Sequence, residues 1–346
     1  MQVDFIVIGN GLAGISFCEQ LRTNHKTFVV YDNKSQQSST VAGGLYNPVI
    51  LKRFTPVWKS KEQLQIALEM YNRLENEFDI KIDYKIPVLR KFSSLEEQNN
   101  WFTASDKPKL SEYLSTNLIK NSNQYIEAPF GYGEVLKTGR IVVKRLINAY
   151  KAYLLRVDRL FEDEFSYEDL EVLSEGFQYK NVKAKHIVFA EGYGIHKNIF
   201  FNDLPLVGTK GELLIIHAPD LKIDFVLKSS IFLIPLGDDF YILGATYNWV
   251  DTSNDISQEA QDELLSKLKT FVTCSFQVVN QVAGIRPTVK DRRPLVGQHP
   301  VYKNMYVLNG LGTRGVMIGP YVAKQLFDFI EFGIPLEKEI DINRFQ

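Results

Sequence analysis

The sequence of 346 residues contains 45% hydrophobic and 23% charged side chains, a composition typical of globular proteins and not of disordered or repetitive ones. Its 40 Lys and Arg residues nearly balance 41 Asp and Glu residues, so the formal net charge is −1. This balance argues against a partner bound by bulk charge, such as a long nucleic acid. The two cysteines and five histidines lack metal-ligand spacing, so we predict no metal site. Without a signal-like start or a membrane-length apolar run, the chain is expected to be cytoplasmic.

The first 32 residues have the order of a dinucleotide-binding unit: strand, glycine-rich turn, helix, strand and acid. Gly9 allows the tight exit from the first strand, and Gly11 lets the backbone approach a pyrophosphate. The free N–H groups at the start of the helix favour the same anionic group. Asp32 suits ribose hydroxyls and disfavours the 2′-phosphate of NADP, whereas NAD and FAD both remain open at this point. The predicted cofactor contacts of this unit are Gly9, Gly11, Leu12, Ala13, Gly14 and Asp32.

A segment of small and polar residues follows over 38–48, with no periodicity. Small residues in succession permit a close backbone approach, so this segment is predicted to contact a ligand. The cofactor contacts predicted there are Thr40, Ala42, Gly43, Gly44 and Leu45. Further along the chain, an apolar strand over 185–192 ends in small residues and is predicted to return to the first sheet, which adds Ala190 and Gly192 to the cofactor site.

Hydrophobic periodicity predicts the remaining elements. Helices are expected at 61–78, 95–104, 110–118 and 142–155, and a strand at 82–92. Strands are then expected at 211–218, 223–235 and 240–247, with a hairpin turn at 237–239. Ser257 is expected to cap a helix that reaches about residue 272. The chain ends with a strand at 305–308, a glycine-rich loop at 310–315 and a helix to about residue 329.

These elements predict an α/β protein with two domains. The first is a discontinuous Rossmann-like domain that binds the cofactor, and it is built from residues 1–80, 140–205 and 283–346. The second is an inserted, mostly antiparallel α+β substrate or cap domain, and it is built from residues 81–139 and 206–282.

The segment GIRPT at 284–288, followed by DRRPLVG at 291–297, resembles the GxRPxTxDxxPxxG signature of the D-amino-acid oxidase superfamily. Val289 stands where that signature has a threonine. The loop GLGTRG at 310–315 is similar to the final glycine-rich loop of the superfamily. Within it, this loop and the segment GGLYNP at 43–48 are most similar to the oxidase half of a bacterial bifunctional enzyme that modifies the tRNA wobble uridine. That half oxidises an N-substituted glycine group.

The resemblance implies a flavoprotein with a GR2-type FAD-binding domain, in which FAD accepts a hydride from a carbon next to nitrogen. It implies that Arg286 grips the substrate carboxylate, a role that suits the planar guanidinium fork. The start of the last helix is expected at the pyrimidine edge of the flavin. The contacts predicted there are Gly312, Thr313, Arg314, Gly315 and Val316, and Arg314 is also a candidate to meet the substrate. Tyr46 and Tyr247 are candidates for lining the substrate cavity.

Covalent members attach the flavin through His or Cys, and neither residue type occurs in the matching stretches 35–50 and 305–320, so non-covalent FAD is expected. Strand 242–245 lacks the lysine that sarcosine-oxidase-like members place there, which leaves oxygen and other electron acceptors both open.

The predicted function is FAD-dependent oxidation of the C–N bond of a small amino acid or N-substituted glycine, giving an imine. A flavin dehydrogenase of 2-hydroxy acids would use the same arginine. An NAD-dependent dehydrogenase would leave the last glycine-rich loop without a role. An RNA-binding module is supported by one basic stretch with interleaved Phe54 and Trp58, although a nucleic-acid partner is disfavoured overall. The basic residues of this stretch are Lys52, Arg53, Lys59 and Lys61. The oligomeric state is not predicted.

Overall fold

The computed structural model describes residues 1–345, and residue 346, the last of the predicted segment 283–346, lies outside the described residues. The α-helices are α1 (Leu12–Thr23), α2 (Ser60–Phe78), α3 (Leu95–Ser105), α4 (Val143–Arg156), α5 (Gln258–Leu268) and α6 (Gly315–Phe332). The strands of the first half are β1 (Gln2–Ile8), β2 (Phe28–Tyr31), β3 (Leu45–Tyr46), β4 (Val49–Ile50), β5 (Thr55–Pro56), β6 (Asp83–Tyr84), β7 (Val88–Lys91), β8 (Leu114–Ile119), β9 (Tyr132–Val135), β10 (Gly139–Ile141) and β11 (Leu160–Phe161). Those of the second half are β12 (Leu170–Leu173), β13 (Gly176–Tyr179), β14 (Val182–Phe189), β15 (Leu206–His217), β16 (Val226–Lys228), β17 (Phe232–Gly237), β18 (Phe240–Gly244), β19 (Gln277–Val289), β20 (Leu295–Gln298) and β21 (Met305–Asn309).

The first sheet has eight strands around β1, which pairs in parallel with β2 on one side and β14 on the other. Strand β21 also pairs in parallel with β14, so the last strand joins the sheet of the N-terminal unit. Alternate residues of β1 enter different cores: Phe5 and Val7 pack with the helices, whereas Ile6 and Ile8 pack on the opposite face. This arrangement explains why β1 is continuously apolar from Phe5 to Ile8, because a parallel strand covered on both faces has no polar side.

Helix α1 lies unusually close to the end of β1. A Cβ atom at Gly14 would overlap the carbonyl oxygen of Gly9, so a side chain at residue 14 would force the helix away from the strand. Gly9 itself has φ of +106°, a conformation that L side chains rarely adopt. Helix α6 packs against α1 and α2, and together these helices cover one face of the first sheet.

The second sheet also has eight strands, in the order β19-β15-β18-β17-β16-β7-β9-β8. Its pairs are antiparallel except for β16 and β7, as expected for a mostly antiparallel unit. The long ladder between β15 and β19 pairs Thr209 with Arg286 and Gly211 with Gly284. Strand β19 continues across residue 283, where one domain boundary was drawn, and the boundaries themselves stay a prediction.

Three predicted elements differ from the structure. The helix at 110–118 is wrong: buried Leu110, Tyr113 and Leu114 have helical spacing, but the first two lie in turns and β8 pairs with β9. The strand at 82–92 is divided at Pro87, which has no N–H to donate, into β6 and β7 of different sheets. The strand at 223–235 is likewise two strands, β16 and β17, which form a hairpin.

Two predicted local signals, a hairpin turn and a helix cap, are confirmed. The turn at 237–239 connects β17 to β18. The Ser257 side chain accepts the N–H of Ala260 at 3.3 Å and caps α5, which ends at Leu268, earlier than expected. Among residues 1–345, no helix has the length and apolar character needed to cross a membrane.

We expect Gly14→Ala to lower the free energy of unfolding by about 1–3 kcal/mol, the usual cost of overpacking, because the new methyl group overlaps the Gly9 carbonyl. Urea unfolding of the purified protein measures this change. Gly333→Asn is the control, since Gly333 has φ of +67° with nothing within 4 Å, and Asn tolerates that conformation. Equal unfolding midpoints for the two variants would contradict the close contact.

Candidate functional site

A cavity of about 520 Å³ lies between the two sheets. On one side it is lined by residues at the carboxyl ends of β1, β2 and β14, which is where open parallel sheets bind ligands. On the other side it is lined by residues of the second sheet, among them Gly211, Phe232 and Arg286. The sequence-predicted residues that line this cavity are Gly9, Gly11, Leu12, Ala13, Asp32, Thr40, Ala42, Gly43, Gly44, Leu45, Ala190, Gly192, Tyr247, Arg286, Gly312, Thr313, Gly315 and Val316.

One end of the cavity is formed by the N-terminal unit. Helix α1 has no side-chain cap at Gly11, and the N–H of Leu12 donates to the Ser39 hydroxyl at 3.2 Å. Burial raises the pKa of Asp32, against the opposing effect of the backbone N–H groups of Asn10 and Lys34. The Asn10 Oδ1 atom is buried without a hydrogen-bond partner. This end therefore offers free polar groups to a ligand.

The start of α6 forms part of the opposite wall. Gly315 and Val316 line the cavity, and Arg314 at the N-cap gives the helix no side-chain hydrogen bond. Gly312 precedes them with φ of +58° and no heavy atom within 4 Å of its Cβ position. The first N–H groups of α6 and the positive end of its dipole are therefore available to a bound group.

Arg286 lies on β19 where the second sheet borders the cavity. Its guanidinium occupies the space above Gly211, since a Cβ atom at that position would overlap it. Nη1 donates to the Thr246 carbonyl oxygen at 3.3 Å, and Cζ lies 4.6 Å from the centre of the Tyr247 ring. Burial lowers the pKa of Arg286.

The Arg286 guanidinium has no carboxylate within 4.0 Å among the residues that the structure describes. Asp291, five residues further along the chain, accepts from Arg344 Nε at 2.9 Å. A half-buried cation that lacks an anionic partner is costly, because burial removes part of its hydration. An anionic ligand in the cavity would supply the missing partner.

Tyr247 and Arg314 lie in the same region, but only Tyr247 lines the cavity. Tyr247 lines the cavity, and its side chain remains 59% exposed. Arg314 lies next to the cavity but is not among its lining residues. Burial lowers the pKa of Arg314, and neighbouring Arg292 lowers it further. Whether Arg314 meets a substrate stays a prediction.

The expectation that Tyr46 lines the cavity is corrected by the structure. Its side chain is 2% exposed and turns into the small sheet of β3, β10 and β6. The hydroxyl donates to Asp83 Oδ1 at 2.8 Å and accepts from Lys85 at 2.9 Å, so its hydrogen bonds are satisfied away from the cavity. Gly14 also does not line the cavity, because its role is the close contact of α1 with β1.

Glu191 is a cavity residue that the sequence analysis missed. Its two carboxylate oxygens accept from the Tyr167 hydroxyl at 2.5 Å and from Asn198 Nδ2 at 2.7 Å. Burial raises the pKa of Glu191 to about 7, against the effect of these two donors. The signal in the sequence was an acid between the predicted contacts Ala190 and Gly192, directly after an apolar strand.

The aromatic residues of the basic stretch pack against other aromatic side chains of the protein. Phe54 packs edge-on against Trp101, with ring centroids 5.8 Å apart. Trp58 packs against Tyr321 at 5.7 Å, and the Arg293 guanidinium lies 5.1 Å from its ring. All four basic residues are exposed, and Lys59 also pairs with Glu337 at 3.1 Å. The stretch therefore offers positive charge, but its aromatic faces are largely engaged.

Comparison with known proteins identifies relatives of this chain. It is 26% identical over 157 residues to glycine oxidase of Bacillus subtilis (strain 168), covering 43% of this chain and 42% of the relative. It is 26% identical over 204 residues to the tRNA 5-methylaminomethyl-2-thiouridine biosynthesis bifunctional protein of Shewanella sediminis (strain HAW-EB3), covering 46% of this chain and 28% of the relative. The matches thus span less than half the length of these curated relatives.

The fold is shared with a solved structure, that of glycine oxidase from Geobacillus kaustophilus, with a TM-score of 0.80 at 17% sequence identity. The superposition covers 100% of this chain and 98% of that one. The predicted α/β fold class, with a Rossmann-like domain and a mostly antiparallel second unit, is therefore confirmed. Residues 4–329 match the family described as "FAD dependent oxidoreductase". The chain accordingly belongs to the D-amino-acid oxidase (DAO) family of FAD-dependent oxidoreductases, as its motifs predicted.

Proposed function

We propose that this FAD-dependent enzyme oxidises the C–N bond of a small amino acid or N-substituted glycine to an imine. The observation that carries the proposal is Arg286, a half-buried guanidinium without an anionic partner in the described chain, in the same cavity as the dinucleotide-binding glycines. Such a cation suits a substrate that carries a carboxylate.

The residues around the cavity fit FAD. Gly9 and Gly11 leave room for the pyrophosphate beside the uncapped start of α1, and Asp32 is available to ribose hydroxyls. The unpartnered Oδ1 of Asn10 can accept a hydrogen bond from the same ligand. No His or Cys is among the cavity-lining residues of the described chain, which supports non-covalent attachment. When bound, FAD supplies the hydride acceptor for the carbon next to the substrate nitrogen.

Arg286 positions the substrate in this proposal. One guanidinium N–H is directed to the Thr246 carbonyl, which fixes the orientation of the plane, and the remaining N–H groups are free for a bidentate contact with a carboxylate. Holding the carboxylate at two points restricts rotation of the substrate and directs its α-carbon towards the cavity. The uncapped start of α6 adds a positive potential on the opposite wall, which would favour the pyrimidine edge of a bound flavin.

The relatives support an amine substrate. Two of them, from Bacillus and Geobacillus, are named glycine oxidases, and glycine carries the carboxylate and amine that the proposal needs. Three other cations line the cavity, namely Lys34, Lys151 and Lys197. Unlike Arg286, each of them has an acidic partner: Lys34 and Lys151 pair with Glu162, and Lys197 pairs with Glu164, near the nucleotide end.

An anaerobic substrate screen tests the proposal against its rivals. The FAD-loaded protein is mixed with amino acids, N-substituted glycines and 2-hydroxy acids, and bleaching of the flavin absorbance is recorded. Bleaching by glycine-type amines is expected. Bleaching by hydroxy acids alone would assign the chain to the alternative of a 2-hydroxy-acid dehydrogenase. The RNA-binding alternative instead requires salt-dependent RNA binding that is lost when Lys52 and Arg53 are neutralised.

We expect Arg286→Met to lower the second-order rate of flavin bleaching by about 10²- to 10³-fold, because a charge-assisted pair with the carboxylate is lost. Arg286→Lys keeps the charge without the planar fork and should give an intermediate rate. Arg53→Met is the control, as an exposed arginine outside the cavity. All variants should bind FAD. Unchanged bleaching in Arg286→Met would remove this residue from substrate binding.

We expect FAD affinity to fall as the pH rises through about 7, because Glu191 then ionises beside the glycines that receive the anionic pyrophosphate. The protonated carboxyl below that pH is neutral and does not repel the cofactor. Titration of the apoprotein, followed by flavin fluorescence, should give an about three- to tenfold higher Kd at pH 8 than at pH 6. Glu191→Gln is uncharged at both values and should flatten this dependence. If the Kd for FAD depends on pH equally in both proteins, the dependence comes from another group.

A further inference from the structure

A cluster of exposed apolar side chains lies beside the Arg286 end of the cavity. We call Tyr247, Trp249 and Val250 the aromatic rim; their exposed fractions are 59%, 57% and 91%. By contrast, Trp101 is fully buried and Trp58 is half-buried against Tyr321. Single exposed apolar residues are common, but here three lie within four positions of the chain.

The backbone of the rim is held in place although it has no regular structure. Asn248 exchanges two backbone hydrogen bonds with Lys210 of β15, at 2.8 and 3.0 Å. The Asn248 side chain accepts the N–H groups of Val250 and Asp251 at 2.9 and 3.0 Å. Lys210 is 2% exposed and pairs with Asp251 at 2.5 Å. Because these contacts already fix the backbone, a ligand that binds the rim does not have to order it.

The rim continues the cavity wall. Asn248 forms a bridge with β15, and Tyr247 and Trp249 flank it in the sequence. Tyr247 and Trp249 therefore belong to the same short loop, in which the chain bends at Trp249. Tyr247 also lines the cavity, with its ring against the Arg286 guanidinium. A substrate whose carboxylate binds Arg286 would thus lie within reach of the rim.

We propose that the substrate amine carries an N-substituent with an aromatic ring, and that this ring lies on Tyr247 and Trp249 outside the cavity. The inference rests on the proposed function and names the class of substrate for that site. FAD held by Asp32 at one end and by the start of α6 at the other would leave the Arg286 end for the reacting carbon and nitrogen. A substituent on the nitrogen then leaves by the open side, where the rim supplies aromatic faces for an offset or edge-to-face contact.

Two thioethers that lack a C–N bond test binding at the rim separately from turnover. (Methylthio)acetate and (benzylthio)acetate keep the carboxylate and differ in the presence of the ring. Each is titrated into the FAD-loaded protein, and Kd is taken from the change in the flavin spectrum. We expect the benzyl compound to bind about three- to tenfold more tightly, the contribution typical of an aromatic pair. Trp249→Ala should abolish this preference and leave the Kd of the methyl compound within about twofold.

Phe332→Ala is the matched control, because Phe332 is a 66% exposed aromatic residue at the end of α6 that does not line the cavity. It should keep the full preference for the benzyl compound. Equal affinities for the two thioethers in the unmodified protein would overturn the proposal, as would a preference that survives Trp249→Ala. The proposal would also be overturned if Trp249→Ala changed the sedimentation coefficient of the protein but kept the preference for the benzyl compound. That result would assign the rim to a contact between two copies of the chain.

Oxidation of amine substrates provides a second test of the aromatic rim. Glycine, sarcosine and N-benzylglycine are compared by anaerobic flavin bleaching, and Trp249→Ala should raise the half-saturating concentration of N-benzylglycine while the limiting rate is retained. If no amine bleaches the flavin but the thioether preference depends on Trp249, the proposed function fails while the binding of an aromatic group at the rim stands. If amines bleach the flavin and no preference exists, the rim proposal alone fails.

Discussion

The contact between Gly14 of α1 and the Gly9 carbonyl at the end of β1 is the constraint on which the rest of the cavity depends. It brings the uncapped start of α1 to the carboxyl edge of the first sheet, where Asp32 and Ala190 also lie. Helix α6 packs on α1, so its own start reaches the same cavity from the far end of the sequence. A side chain at Gly14 would shift both helices relative to the sheet, and a ligand bound across them would lose contacts at each end.

A second constraint comes from the register between β15 and β19. The ladder places Arg286 opposite Thr209, and the guanidinium then extends over Gly211, two residues along the same face. A shift of one residue would turn Arg286 to the opposite face of the sheet. The position of the cation therefore depends on a long antiparallel pairing, whereas the nucleotide end depends on a short local turn.

This difference explains how much could be predicted from the sequence. The N-terminal unit is local, because strand, turn, helix and acid follow one another within 32 residues, and its elements are confirmed. The helix predicted at 110–118 failed because pairing with β9, distant in sequence, decides the structure of β8. Tyr46 was misplaced because Asp83 and Lys85 satisfy its hydroxyl elsewhere. Glu191 was missed because the sequence places an acid after an apolar strand but does not show that Tyr167 and Asn198 hold it at the cavity.

The uncapped starts of α1 and α6 link cofactor binding to the stability of the folded chain. Backbone N–H groups that face the cavity must be hydrated when no ligand accepts their hydrogen bonds. A ligand that binds the folded state and not the unfolded one stabilises the fold in proportion to the logarithm of its free concentration over Kd. The lifetime of this protein against proteolysis should therefore follow the supply of flavin in its surroundings, which makes cofactor availability a control on its abundance as well as its activity.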